Sequence, residues 1–330
     1  MIRRLFLATA WSLPAAFGLG AVAVAVDDDA PLGGARRVVF LGDSITYSGQ
    51  YVEYVETVLR LKDPALRCEF LDLGLPSETV SGLSDPGHAG GAFPRPELRE
   101  RLGRVLDRAK PDLVVACYGM NDGIYAPFDE GRFRAFREGI ADLRDRSAAA
   151  GAKVLHLTPP VFDPAPIRCK TLPAGLAEYP RPFEGYDDVL DRYSEWLLAR
   201  RADGWDVVDV HGPMRRHLAR ERERDPDYRL ANDGVHVDAS GHRIIARQIL
   251  ARWGVVVAEG DGEGDFLAGF PAGPEVLKRV RAEQHLLKDA WLTATGHKRP
   301  GMKPGRPLDE ASREAAAIVD EIRGLAAPAP

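Results

Sequence analysis

A serine at position 44, an asparagine at 121, an aspartate at 233 and a histidine at 236 stand at polar junctions of this 330-residue sequence. Their types fit acyl transfer. A serine hydroxyl is a weak nucleophile until a base takes its proton, and the base needs a third group to hold its tautomer. Ser44 is the candidate nucleophile, His236 the candidate base and Asp233 its orienter. The three-residue spacing lets a tight turn bring the carboxylate to the imidazole Nδ1–H and leaves Nε2 free. An attacked carbonyl oxygen gains negative charge and needs N–H donors around it. The backbone N–H groups of Ser44 and Gly74 and the side-chain amide of Asn121 are the candidates. Each residue also has a plainer reading: Ser44 as a helix cap, Asn121 as a turn residue, His236 as a core histidine. Asp43 and Asp122 read as loop braces, and His156 and His242 as structural residues of a strand and a helix.

Such groups need rigid elements behind them. Five near-continuously apolar runs, at 37–42, 68–74, 112–119, 153–158 and 205–212, read as strands covered on both faces. Amphipathic stretches at 51–61, 97–109, 130–149 and 186–201 alternate with them, and 240–253 follows the last. Strand–helix alternation predicts a parallel sheet flanked by helices, with active groups on loops beyond the strands' carboxyl ends. All four candidate residues fall on such loops, and a helix starting after Gly49 would aim its positive end at the same spot. The long proline-rich loop 159–182 hangs over that end and reads as a wall that shapes the substrate cleft. After Gly260 the "EGDGEGD" joint leads to a helical hairpin. One helix carries Val276, Leu277, Val280, Leu287 and Trp291; the other carries Ala311, Ala315, Ile318, Ile322 and Leu325 on one face. The basic connection 296–307 reads as solvated surface or, alternatively, as a border of the cleft that greets an acidic polysaccharide.

Four blocks, "GDSIT", the glycine at 74, "GMND" and "DGVH", occur in the order and spacing of the SGNH (GDSL-type) hydrolase superfamily, which residues 36–253 resemble. The resemblance implies a three-layer α/β/α, flavodoxin-like fold with a five-stranded parallel sheet. It also implies that Ser44, Gly74, Asn121 and His236 are the four namesake residues and that Asp233 completes the triad. Here Asp72-Leu73-Gly74 stands where the family often has Asn-x-Gly, and nothing after Gly260 belongs to the family pattern. No Gly-x-Ser-x-Gly elbow of the α/β-hydrolase type occurs.

The first 25 residues have the charged start (Arg3, Arg4), apolar run and Ala23-Val24-Ala25 ending of a secretory signal, with cleavage after Ala25; an uncleaved anchor is the competing reading. The expected organisation is signal peptide 1–25, a flexible stretch 26–35, a hydrolase domain 36–254 and a linker with hairpin 255–330. A net charge of −5 argues against nucleic acid as the main partner. Cys68, Cys117 and Cys169 are too scattered for a disulfide framework or zinc site, though one pair is compatible with an oxidising compartment. The expectation is a secreted or periplasmic serine esterase acting on short-chain, O-acetyl esters of carbohydrates, with no metal or organic cofactor. A long-chain lipase or thioesterase is the alternative within this chemistry. A phosphoesterase with metal on Asp43, Asp233 and His236, or an inactive binding module, lies outside it.

Overall fold

Strand β1 (Arg37–Gly42) is buried from Val38 to Gly42, as a strand with helices on both faces must be. In the computed structural model, which describes residues 32–260 and 262–327, β1 is the second strand of a five-stranded sheet. The signal segment falls outside the described residues. The other strands are β2 (Glu69–Asp72), β3 (Leu113–Cys117), β4 (Lys153–Leu157) and β5 (Asp206–Val208). Their order is β2-β1-β3-β4-β5, and every pairing is parallel. The register sets Phe40 beside both Asp72 and Val115, and Gly42 beside Cys117. The chain therefore leaves β1, β2 and β3 at neighbouring points on one end of the sheet.

Gly42 is required by close approach: a Cβ there would run into the Thr46 side chain and the Cys117 carbonyl. After it come the short helix α1 (Ser44–Ser48) and α2 (Gln50–Lys62), joined by Gly49 in the left-handed region. The helix that begins at the candidate nucleophile is thus α1, and not the one after Gly49. The remaining crossovers are α3 (Leu98–Ala109), α4 (Glu130–Ala149), α5 (Tyr186–Ala199), α6 (His211–Arg222) and α7 (Ala239–Arg252). Helix α2 packs against α7. In a second row α3 meets α4, and Phe133 and Phe136 of α4 stack on Tyr193 of α5.

Two elements differ from expectation. The last strand is only three residues, and α6 follows at once where a longer strand and loop were expected. Helix α6 buries only His211, Met214, His217 and Leu218, so half of its inward face is histidine and its apolar period is faint. The expected hairpin exists as α9 (Gly273–Thr295) and α10 (Leu308–Ala326), preceded by the single turn α8 (Glu263–Phe266). Val276, Val280 and Ile322 form its buried core, while Leu325, expected on the buried face, is exposed. Helix α9 packs on α2 and β2, and Gln284 donates to the Phe70 carbonyl at 2.8 Å. From Ala35 onward the chain forms one compact unit. All three cysteines are free. Among the described residues no helix is long and apolar enough to cross a membrane.

A buried ion pair holds the turn after β2. Arg101 of α3 donates to both Glu78 oxygens (2.6 and 2.7 Å) and to the Leu73 carbonyl (2.7 Å), and the Tyr118 hydroxyl donates to Glu78 at 2.6 Å. Removing one partner strands the other charge without water. Arg101→Met is expected to lower unfolding free energy by about 3–5 kcal/mol in urea titration. A loss below about 1 kcal/mol would reject that role.

Candidate active site

Ser44 is the first residue of α1, one residue past the end of β1, and Asp43 between them caps the helix by accepting the Ile45 N–H at 2.9 Å. A first-turn N–H has no partner inside its helix, so the Ser44 amide is open toward the strand ends. The histidine comes from the far end of the chain. An antiparallel bridge between Ala231 and Val237 closes a loop around Asp233 and His236. Asp233 Oδ1 accepts the N–H groups of Val235 (3.0 Å) and His236 (2.8 Å), which shapes the turn. Its Oδ2 lies 2.6 Å from His236 Nδ1, and His236 Nε2 lies 2.8 Å from Ser44 Oγ. With Nδ1–H donated to the carboxylate, Nε2 accepts the serine hydroxyl proton. Burial pushes the Asp233 carboxyl upward, but its bonds to His236 and Val235 outweigh that and hold it below its ordinary value. The side chains of His236 and Asp233 are 53% and 55% exposed, so this relay faces open solvent.

Asn121 is buried beyond β3. Its Oδ1 accepts from Arg95 (3.0 Å) and the Tyr125 hydroxyl (3.1 Å), and its Nδ2 donates to the Glu78 carbonyl at 3.2 Å. The amide is thereby oriented with one Nδ2 hydrogen remaining. Gly74 differs from expectation. Its N–H is committed to Asp72 Oδ1 at 2.9 Å, and its α-carbon packs so closely on the Thr46–Tyr47 backbone that a Cβ would overlap it. The closeness explains the glycine, but it gives no open donor. Three residues on, Ser77 sits at φ 68°, and its N–H donates no hydrogen bond among the described residues. Sequence reasoning missed Ser77, Glu78 and Arg95.

Asp43 braces its own loop, as expected. Asp122 instead reaches across to the strand-two segment, accepting from Val80 (2.9 Å) and Ser81 (2.8 Å). Burial pushes the carboxyls of Asp43 and Asp72 up to about 7 and that of Asp122 up to about 6. His242 lies in α7 with Nε2 2.9 Å from Ser48 Oγ, and His156 stacks on Trp205 in β4. Burial drives both imidazoles down to about 3, so they are neutral. Asp43, Asp233 and His236 do not converge as a metal-binding group among the described residues. In the proline-rich loop, Asp163 N–H donates to the Gly234 carbonyl at 2.8 Å, which ties that loop to the Asp233–His236 turn.

The raised Asp72 value has a pH consequence. A neutral carboxyl suits the folded state better than a carboxylate does. Its stabilisation is full below the ordinary value of about 4 and is lost as pH rises through about 7. The loss of urea stability between pH 5 and pH 8 should therefore be smaller in Asp72→Asn than in the unaltered protein. Equal losses would reject this origin.

A gut microbial diltiazem-metabolizing enzyme shares the fold at a TM-score of 0.52 and 18% identity, over 66% of this chain and 47% of its own. The chain thus spans about half the length of that relative. A variant of Axe2, an acetyl xylan esterase from Geobacillus stearothermophilus, matches at TM-score 0.50 and 19% identity, over 68% of this chain and 97% of its own. No curated protein sequence matches. The profile of the GDSL-like Lipase/Acylhydrolase family matches residues 40–244, from β1 into α7 and across every group described above. Over most of its length, then, the chain belongs to the GDSL-like Lipase/Acylhydrolase family.

Proposed function

We propose that the protein is a serine esterase in which Ser44, His236 and Asp233 act as a triad. The observation that carries this reading is the unbroken contact series from Asp233 Oδ2 through both imidazole nitrogens to Ser44 Oγ. Ser44 Oγ attacks the ester carbonyl as His236 Nε2 takes its proton, and Asp233 stabilises the imidazolium. The oxyanion is held by the Ser44 N–H and the free Asn121 Nδ2 hydrogen, with the Ser77 N–H in the place the sequence assigned to Gly74. The alcohol leaves with the proton from His236. Water, activated by the same imidazole, then releases the acid from the acyl-enzyme. Ser44→Ala should lower kcat on p-nitrophenyl acetate by at least about 10³-fold, and unchanged turnover would reject the assignment.

For the substrate we infer a short acyl group, O-acetyl, on a carbohydrate outside the cytoplasm. The half-exposed relay leaves room for a bulky alcohol component such as a polysaccharide. Among the described residues the exposed large hydrophobics are Leu176, Val256 and Leu325, each on a different segment of the chain, which does not suggest an acyl-chain surface. The structural likeness to an acetyl xylan esterase agrees with this, and the signal-like first 25 residues support secretion or a periplasmic location. Rates on p-nitrophenyl acetate should exceed those on the decanoate. The reverse preference would favour a lipase or thioesterase.

A further inference from the structure

We propose that the C-terminal helix pair is a working part of the active site, with Lys288 and Arg299 as positioning residues for the Ser44 turn and the strand-two turn. This rests on the reading of Ser44 as the nucleophile. The family profile ends at residue 244 and α9 begins at Gly273, so nothing in the family match assigns these residues a role.

Helix α1 is too short to satisfy its own ends. The Ser48 hydroxyl donates to the Ile45 carbonyl (2.8 Å), and Gly49 N–H donates to Thr46 (2.8 Å). The Tyr47 carbonyl is met from outside: Lys288 Nζ donates to it at 2.6 Å, with the ammonium 4.3 Å from the Tyr47 ring centroid. A cation at the carboxyl end of a helix also opposes the partial negative charge there. Lys288 is buried, and its charge acts on Asp72, whose Oδ1 holds Gly74 and whose Oδ2 has no hydrogen-bond partner. One ammonium therefore steadies the end of the helix that starts at Ser44.

Arg299 holds the strand-two turn. From the loop after α9 its Nε donates to the Pro76 carbonyl at 2.9 Å, and its guanidinium lies 5.5 Å from the Phe93 ring centroid. Pro76 precedes Ser77 at its positive φ, and Glu78 beyond it accepts from Asn121. The turn is thus held by Arg101 on its buried side and by Arg299 on its outer side. Docking of the hairpin has a separate basis, the packing of α9 on α2 and β2 with Leu61 of α2 against the hairpin's apolar core, so positioning and docking are experimentally separable.

The test uses full-length Lys288→Met, Arg299→Gln and Arg299→Lys, with kcat and KM on p-nitrophenyl acetate normalised to sites titrated by a fluorophosphonate. Arg299 is partly exposed, so its variants keep the test open should Lys288→Met fold poorly. The expected result is a fall of about tenfold in kcat per titrated site, KM within about twofold, and substantial recovery in Arg299→Lys. Wild-type kcat per site in both Lys288→Met and Arg299→Gln, even with a lowered Tm, would overturn the inference and leave the hairpin as a stabiliser only. An unaltered protein that is neither labelled nor active would overturn the serine esterase reading, and this inference with it.

Discussion

The arrangement at the sheet's carboxyl end depends on one desolvated ion pair, Glu78 with Arg101. Strand pairing alone fixes where β1 and β3 deliver Ser44 and the Asn121 turn, because Gly42 and Cys117 are register partners. The segment after β2 keeps two backbone bonds to β1, from Leu73 N–H to the Phe40 carbonyl and from Leu75 N–H to the Gly42 carbonyl (both 2.9 Å), and past Leu75 it has no ladder to place it. Two parallel N–H bonds from one guanidinium, a phenol from the end of β3 and a carbonyl bond at Leu73 pin it instead. A buried pair is costly unless its remaining lone pairs are satisfied. Here those same bonds join the turn after β2 to α3 and to the end of β3, so satisfying the charge and placing the turn are one requirement. Asn121 then reads the result through the Glu78 carbonyl.

The electrostatics divide by depth. Asp233, with half its side chain in solvent, is held ionised by the N–H groups it shapes. Asp43, Asp72 and Asp122, a layer deeper, are pushed toward the neutral form by burial despite backbone N–H partners. Carboxylates at one end of the sheet thus stand in opposite states: Asp233 is held toward its ionised form beside His236, and the buried three fasten loops. Depth decides between them, and sequence spacing is silent about depth.

Much of this was legible in the sequence. The five apolar runs became five parallel strands because strands buried on both faces must be apolar throughout. Asp233 and His236 were readable as a pair because a three-residue turn is a local geometry. What escaped was non-local or masked. Helix α6 hides its period behind buried His211 and His217. Gly74 offered a bare backbone, which reads equally as an open donor or as a tight contact; only the Thr46–Tyr47 backbone beside it decides. Arg95, Arg101, Lys288 and Arg299 act on carbonyls, carboxylates and amides from dozens to hundreds of residues away, and no periodicity records such partners.

The packing of α9 on β2 has a consequence for how the chain matures. β2 is the outermost strand on its side, and an outer strand exposes unpaired backbone groups that invite pairing with other chains. Gln284 takes the Phe70 carbonyl, and α9 shields the strand. That shield comes from a helix that begins at Gly273, far along the chain from the strand it covers, which ends at Asp72. A nascent chain that has completed its sheet still carries a bare flank until α9 emerges. Truncation before Gly273, or delayed docking of α9, leaves a hydrolase core that is sticky to its own kind.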